Sequence, residues 1–155
     1  MRKMLLSFKP EVFTRIQSGE KIFEHRKVFP NEKIIAYLYL SKPVQAISGI
    51  LLLDKRIEIS SWLSIYSNDK DAVKRIQDYL CNNKYAMRIL EYKETNSISL
   101  QDLRENIPEF IIPQMYYYIN EDSKLNNYIN THLFETGNSI INNFDSITSD
   151  MICTH

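Results

Sequence analysis

Leu5–Lys27 reads LLSFKPEVFTRIQSGEKIFEHRK, a short stretch that carries a strand end, a helix, a glycine turn and a cluster of charge. Lys9-Pro10 opens the helix. Proline at the first helical position gives up only a backbone N–H that would have had no intrahelical partner, and Glu11 suits the positive end of the helix. Val12, Phe13 and Ile16 form one apolar face. Gly19 can adopt the left-handed conformation that ends a helix, and Lys21 to Lys27 follows as an extended run. Alternation puts Ile22, Glu24 and Arg26 on one side of that run and Lys21, Phe23, His25 and Lys27 on the other. A carboxylate and a guanidinium two residues apart, just past a glycine turn that carries a lysine, can form the floor of a polar pocket.

Gly19-Glu20-Lys21-Ile22-Phe23-Glu24-His25-Arg26 fits the pattern G-x-K-x-x-E-x-R, which resembles the signature of the ASCH domain, the activating signal cointegrator homology family of PUA-like β-barrels. SFKPEVFTRIQSG, YLYLSKPVQAISGILLLD and ISLQDLRENIPEFIIPQMYYYI resemble successive blocks of one subgroup, which ends in a Pro-Gln-aromatic run. The resemblance covers about residues 4 to 119, in order. It implies an α+β fold, a PUA-like mixed β-barrel of about five or six strands with flanking helices. The barrel domain would occupy residues 1–119, with a partly helical extension over 120–155 that can dock on it.

Family members include RNA-binding modules, a ribonuclease and small amidohydrolases acting on acetylated cytidine. The family's cleft lies beside the motif, so the resemblance implies a site for RNA or a modified nucleotide. Lys21 and Arg26 would donate to phosphate or carbonyl groups while Glu24 accepts from a base edge. Ser41, Lys42, Gln114 and Tyr116 would complete the site from neighbouring strand ends, a nearness that follows from the fold and not from spacing. A small hydrolase acting on RNA or an acylated nucleoside is the alternative, with Lys21 and Glu24 as its catalytic residues. The amidohydrolase relatives carry a threonine three residues after the lysine, where this chain has Glu24, so that nucleophile is absent. A purely structural reading also stands, in which Glu24 and Arg26 are a partly buried ion pair of the barrel wall.

Composition bounds these readings. A chain of 155 residues, 44% hydrophobic and 25% charged, is one domain's worth of an ordinary globular protein. No apolar run approaches the roughly 20 residues of a spanning helix, and the apolar stretch after Met1-Arg2-Lys3 is too short for a signal peptide, so a cytoplasmic protein without membrane contact is expected. The net charge of zero conceals an asymmetry. Residues 1–42 hold nine Lys/Arg against four Asp/Glu, residues 43–93 eight against six, and residues 94–155 two against nine, giving +5, +2 and −7. The balance argues against non-specific duplex binding but allows a local basic face for a short strand. The acidic C-terminal third leaves a protein-interaction adaptor as a third class.

Outward from the motif, Met4–Phe8 reads as a strand feeding the helix. Ile34–Leu40 is a strand apolar on both faces. Val44–Leu53 is another, with Gly49 at a barrel corner or bulge. Ser60–Leu63 and Asp69–Cys81 read as helical, Trp62 being an anchor for this insertion or a stacking platform for a base. Tyr85–Tyr92 is a strand in which Arg88 stands out, Thr95-Asn96-Ser97 a polar break, and Ser99 the cap of a helix through Arg104. Gln114–Ile119 closes the barrel. Leu125, Tyr128, Ile129, His132 and Leu133 predict a C-terminal helix to about residue 134, and Ile140, Ile141, Phe144 and Ile147 a second short one.

Other chemistry is sparse. Three glycines, Gly19, Gly49 and Gly137, make no phosphate loop, so no cofactor is implied. His25, His132 and His155 stand apart from any ligand set, which gives no metal site. His25 reads as a surface strand residue rather than a base. Cys81 and Cys153, far apart, read as free thiols.

Overall fold

The computed structural model describes residues 1–154; His155, read above as an isolated histidine, lies outside the described residues. The chain runs through β1 (Arg2–Phe8), α1 (Pro10–Gln17), β2 (Phe23–Arg26), β3 (Ile34–Leu40), β4 (Ala46–Leu53) and the two-residue β5 (Ile57–Glu58). A 3-10 turn at Ile59–Ser61 leads into α2 (Trp62–Ile65) and α3 (Lys70–Leu80), followed by β6 (Tyr85–Ser99), α4 (Leu100–Asn106), β7 (Tyr116–Ile119), α5 (Lys124–His132) and β8 (Glu135–Ile141).

Six strands form a continuous path, β2-β6-β4-β3-β1-β7, curled into a half-barrel, with β5 and β8 pairing only to β6. The sheet is mixed because β1 and β3 run parallel, Arg2 opposite Ile34 through Phe8 opposite Leu40, whereas the other pairs are antiparallel. This is the α+β barrel architecture expected from the motif blocks. Met4, Leu6, Phe8, Ile34, Ala36, Leu38, Leu51, Leu53, Met87 and Ile89 fill its concave side, and Phe13 and Ile16 of α1 close over them. The opposite face buries Leu5, Tyr37, Tyr39 and Ile47 beneath α4 and α5. Burial on both faces explains why β3 reads as an unbroken apolar run.

A third cluster joins Phe23, Ile59, Trp62, Ile76 and Ala86 to Ile152 and Cys153. Trp62 is 6% exposed and meets Phe23 edge to face with ring centroids 5.3 Å apart, so it anchors the α2–α3 insertion and is closed to a base. Burial also raises the Cys153 thiol to about 11, which makes it inert.

Gly49 marks a bulge. Its φ is +93°, the β4–β6 register shifts between Ser48 and Ile50, and its N–H donates to Thr95 Oγ1 at 2.8 Å. A Cβ there would lie 3.0 Å from Tyr92 and 3.1 Å from Phe13. Gly49→Ala therefore combines backbone strain with a clash between barrel wall and α1, and thermal unfolding should show a loss of about 1–3 kcal/mol. An unchanged melting temperature would contradict this reading of the bulge.

Two segments differ from the sequence expectation. β6 does not break at Thr95-Asn96-Ser97 but continues to Ser99, because Ser97 and Ile98 pair with Ser48 and Ile47 of β4. The second short helix expected through Ile140 and Ile147 is absent. Instead β8 adds to β6, Ile140 opposite Tyr92, and Phe144 and Ile147 then pack on the third cluster. α5 forms as expected, capped by Ser123, whose Oγ accepts from the Asn126 N–H, and buries Leu125 and Ile129. Among the described residues no helix is long and apolar enough to cross a membrane, and no cluster of His, Cys, Asp and Glu is placed to hold a metal ion.

Candidate functional site

The two ends of the sheet path, β2 and β7, do not pair, and a cleft of about 460 Å³ lies between β2 and the Gln114-Met115 segment that leads into β7. Its walls come from the end of β1 and the start of α1 (Ser7 to Lys9, Val12), from β2 and its continuation (Glu24 to Lys27), and from Ser41, Asn82, Asn83, Gln114 and Met115. A larger depression of about 520 Å³ lies beside the start of α4, lined by Val44, Gln45, Ser99, Gln101, Arg104 and Glu105 among others. None of those polar residues is buried, whereas the cleft at the gap contains buried charge. We therefore take the gap as the site.

The local chain path brings the charges together. Gly19 takes φ +81°, its N–H bonding to Ile16 O, and the Lys21 N–H returns to Arg15 O at 3.0 Å. This hook turns the chain under α1, so the Lys21 side chain points inward and is only 3% exposed. Its amine lies 3.9 Å from Glu24 Oε1, and Arg26 Nη2 lies 3.7 Å from Glu24 Oε2. Alternation along an ideal strand would have separated Lys21 from the other two; the hook lets it reach them from before β2 begins. Arg26 also donates to Ser7 O at 3.0 Å, tying β2 to the end of β1 across the gap, with its guanidinium 5.4 Å from the Phe8 ring centroid.

Glu24 Oε1 accepts from the His25 N–H at 2.8 Å, while Oε2 is buried without a hydrogen-bond partner. Burial lowers the Lys21 pKa, an effect that Glu24 opposes and that Arg26 and Arg15 reinforce. His25 is not the surface residue its neighbours suggested. It is 9% exposed, its ring meets Tyr79 of α3 at 4.8 Å, and its Nε2 is buried without a hydrogen-bond partner. Desolvation, helped by the Lys21 charge, lowers its pKa to about 3, so the ring is neutral at ordinary pH.

Of the residues singled out in the sequence, Glu24, Arg26, Ser41 and Gln114 line the cleft and Lys21 stands behind Glu24. Lys42 is exposed and outside the lining. Tyr116 is not at the cleft either: it lies opposite Leu6 and packs its ring on Phe29 and Tyr118 at 5.5 and 6.2 Å. Asn82 and Asn83, which have the composition of a plain turn and were not singled out in the sequence, also line the cleft. They reach the cleft because Lys84 N–H donates to Arg26 O at 3.0 Å, closing the α3–β6 turn onto β2. Lys9 and Lys27 were also legible only as flanking charge. Arg88 lies away from the cleft, opposite Phe23 in the β2–β6 pair and 5.3 Å from the Phe144 ring centroid.

No protein-family model matches the chain, and neither does the sequence of any curated protein. Solved structures do. The crystal structure of the ASCH protein from Zymomonas mobilis superposes with a TM-score of 0.60 at 20% identity, covering 86% of this chain and 97% of that one. A tyrosine-to-phenylalanine mutant of the same protein gives a TM-score of 0.63 at 18% identity, covering 86% of this chain and all of that one. The likeness spans most of both chains rather than a short motif, and at this identity it speaks for the backbone. The chain has the ASCH fold.

Proposed function

We propose that the cleft between β2 and β7 binds single-stranded RNA or a nucleotide, modified nucleotides included. The observation that carries this reading is the buried carboxylate of Glu24, a residue of the cleft lining, set among the basic residues Lys9, Arg26 and Lys27. Buried acceptors are ordinarily satisfied, and the unpartnered Oε2 of Glu24 marks this wall as one not built for stability alone. The charge balance of the lining fits a phosphodiester: Lys9, Arg26 and Lys27 face the single carboxylate, with Lys21 behind it. The size fits one nucleotide, within the range of about 300–1,000 Å³ common for small-ligand sites.

The hydrolase alternative has one point in its favour, the lowered pKa of Lys21. Because that amine sits behind Glu24 and outside the lining, we assign it the role of an ion-pair partner of the carboxylate rather than that of a base. Fluorescence anisotropy with short single-stranded RNA tests the binding reading. Lys9→Ala and Lys27→Ala should each weaken binding several-fold and flatten the slope of log K against log salt by about 0.7 per lost contact. Absence of saturable binding by the unsubstituted protein at modest salt would end it.

A further inference from the structure

The outer face of the sheet emerges from under α4 and α5 at Ile35, Ile50 and Leu52, which are half-buried and form, with Tyr37, the floor of a hollow of about 460 Å³. Strand pairing sets one row of side chains straight across this face. Lys3 of β1 lies opposite Ile35 of β3, Ile35 opposite Leu52 of β4, Leu52 opposite Glu91 of β6, and Glu91 opposite Ile141 of β8. Ile141 is 78% exposed. An apolar patch of this kind, rimmed by charge, marks a surface that another molecule covers.

The charges on the face are divided by side. At one end of the apolar pair, the Lys3 amine donates to Asn126 Oδ1 at 3.3 Å, a neutral acceptor that leaves the positive charge uncompensated. At the other end Lys93 lies 3.8 Å from Glu135, a pairing that leaves Glu91 as the net charge. Among the described residues the Glu91 side chain has no hydrogen-bond or ion-pair partner. From Lys3 to Glu91 the row therefore reads positive, apolar, apolar, negative.

We propose that this face docks on the same face of a second copy of the chain, forming a two-fold dimer in which Lys3 of each copy meets Glu91 of the other and Ile35 covers Leu52. The row is self-complementary under one symmetry operation. A two-fold axis lying between the two sheets, parallel to the strands and midway between β3 and β4, reverses the row and sets each charge against its opposite. An axis running across the strands would set Lys3 against Lys3. Sheets packed face to face sit about 10 Å apart, a distance that a lysine and a glutamate span together. A small zwitterion in the hollow would leave Ile141 uncovered, because that side chain stands outside the lining. Three strand spacings put Lys3 and Glu91 about 14 Å apart, a narrower face than permanent dimers use, so the dimer is a weak one with a Kd of about 10–100 μM.

Sedimentation equilibrium of the full chain, from about 5 μM to about 1 mM, should show a reversible monomer–dimer equilibrium. Glu91→Lys sets two lysines together at both ends of the interface, and Lys3→Glu sets two carboxylates together. Each variant alone should dimerise about 100-fold more weakly than the parent. Mixed in equal amounts, the two variants should associate as the parent does. The introduced lysine of one then meets the introduced glutamate of the other, while Lys3 and Glu91 meet as before. Recovery on mixing also shows that both variants are folded. A parent that stays monomeric throughout overturns the proposal and leaves the face to a small ligand or a different protein. Dimers retained by the single variants, or no recovery on mixing, overturn it as well, because the pairing of Lys3 with Glu91 would then not hold the copies together.

Discussion

Glu24→Leu is expected to lower the stability of the protein by about 3–5 kcal/mol at neutral pH, because it breaks a buried ion pair, removing a carboxylate that lies 3.9 Å from the Lys21 amine and 3.7 Å from the Arg26 guanidinium. Lys21 is 3% exposed, so water is kept from the pair unless the hook at Gly19 opens. The second half of the expectation is more discriminating. Lys21→Met combined with Glu24→Leu removes both charges and replaces them with apolar groups of similar size, so part of the loss should be recovered. Urea unfolding of the two single variants and the double variant measures the coupling. If the single changes each cost under 1 kcal/mol and simply add, the pair is solvated in solution and does not form the buried cluster described here.

His25 should give the stability a measurable pH dependence. The native ring stays neutral down to about pH 3 because burial and the Lys21 charge oppose protonation. In the unfolded chain it takes up a proton below its ordinary value of 6.5. Between those limits the unfolded state binds one proton more than the native state, so stability rises with pH across the window and falls as the solution is acidified. The slope approaches about 1.4 kcal/mol per pH unit. Carboxylates contribute as well at the acid end, and the difference between the protein and His25→Phe isolates the histidine, since phenylalanine retains a ring against Tyr79. The variant should gain on the parent steadily from pH 6.5 to pH 4. Parallel stability curves would mean that the native ring takes up a proton as readily as the unfolded one.

The sequence was most legible where one element decides its own conformation. β3 occupies Ile34–Leu40, the boundaries expected from its apolar run, and α1 begins at Pro10 for the reason its proline suggested. Ser99, read as a cap, accepts from the Asp102 N–H at 3.1 Å. It was least legible where a partner distant in the chain decides. Thr95-Asn96-Ser97 has loop composition but is strand because β4 supplies hydrogen bonds and Gly49 gives Thr95 Oγ1 a donor. Residues 135–141 carry apolar residues at ambiguous spacing; they pair as β8 because the edge of β6 beyond β2 offers open backbone groups.

The site divides the same way. Lys21, Glu24 and Arg26 were recognisable as a group, and the hook at Gly19 that unites them was signalled by its glycine. The cleft they belong to depends on the gap between the sheet ends, so Asn82, Asn83 and Met115 could not be read from local sequence. Tyr116 illustrates the opposite error. Three successive tyrosines invite a functional reading, yet its place opposite Leu6 at the start of β7 turns the ring onto Phe29.

The most direct test of the account is where RNA touches the protein. Backbone amide shifts recorded by NMR during titration with a short single-stranded RNA should move at Ser7 to Lys9, at Glu24 to Lys27, at Ser41, at Asn82 and Asn83, and at Gln114 and Met115, the residues around the gap between β2 and β7. Shifts confined to another surface, such as the groove of Phe110, Ile111 and Tyr117, with the gap residues unmoved at saturation, would contradict the assignment of the cleft as the binding site.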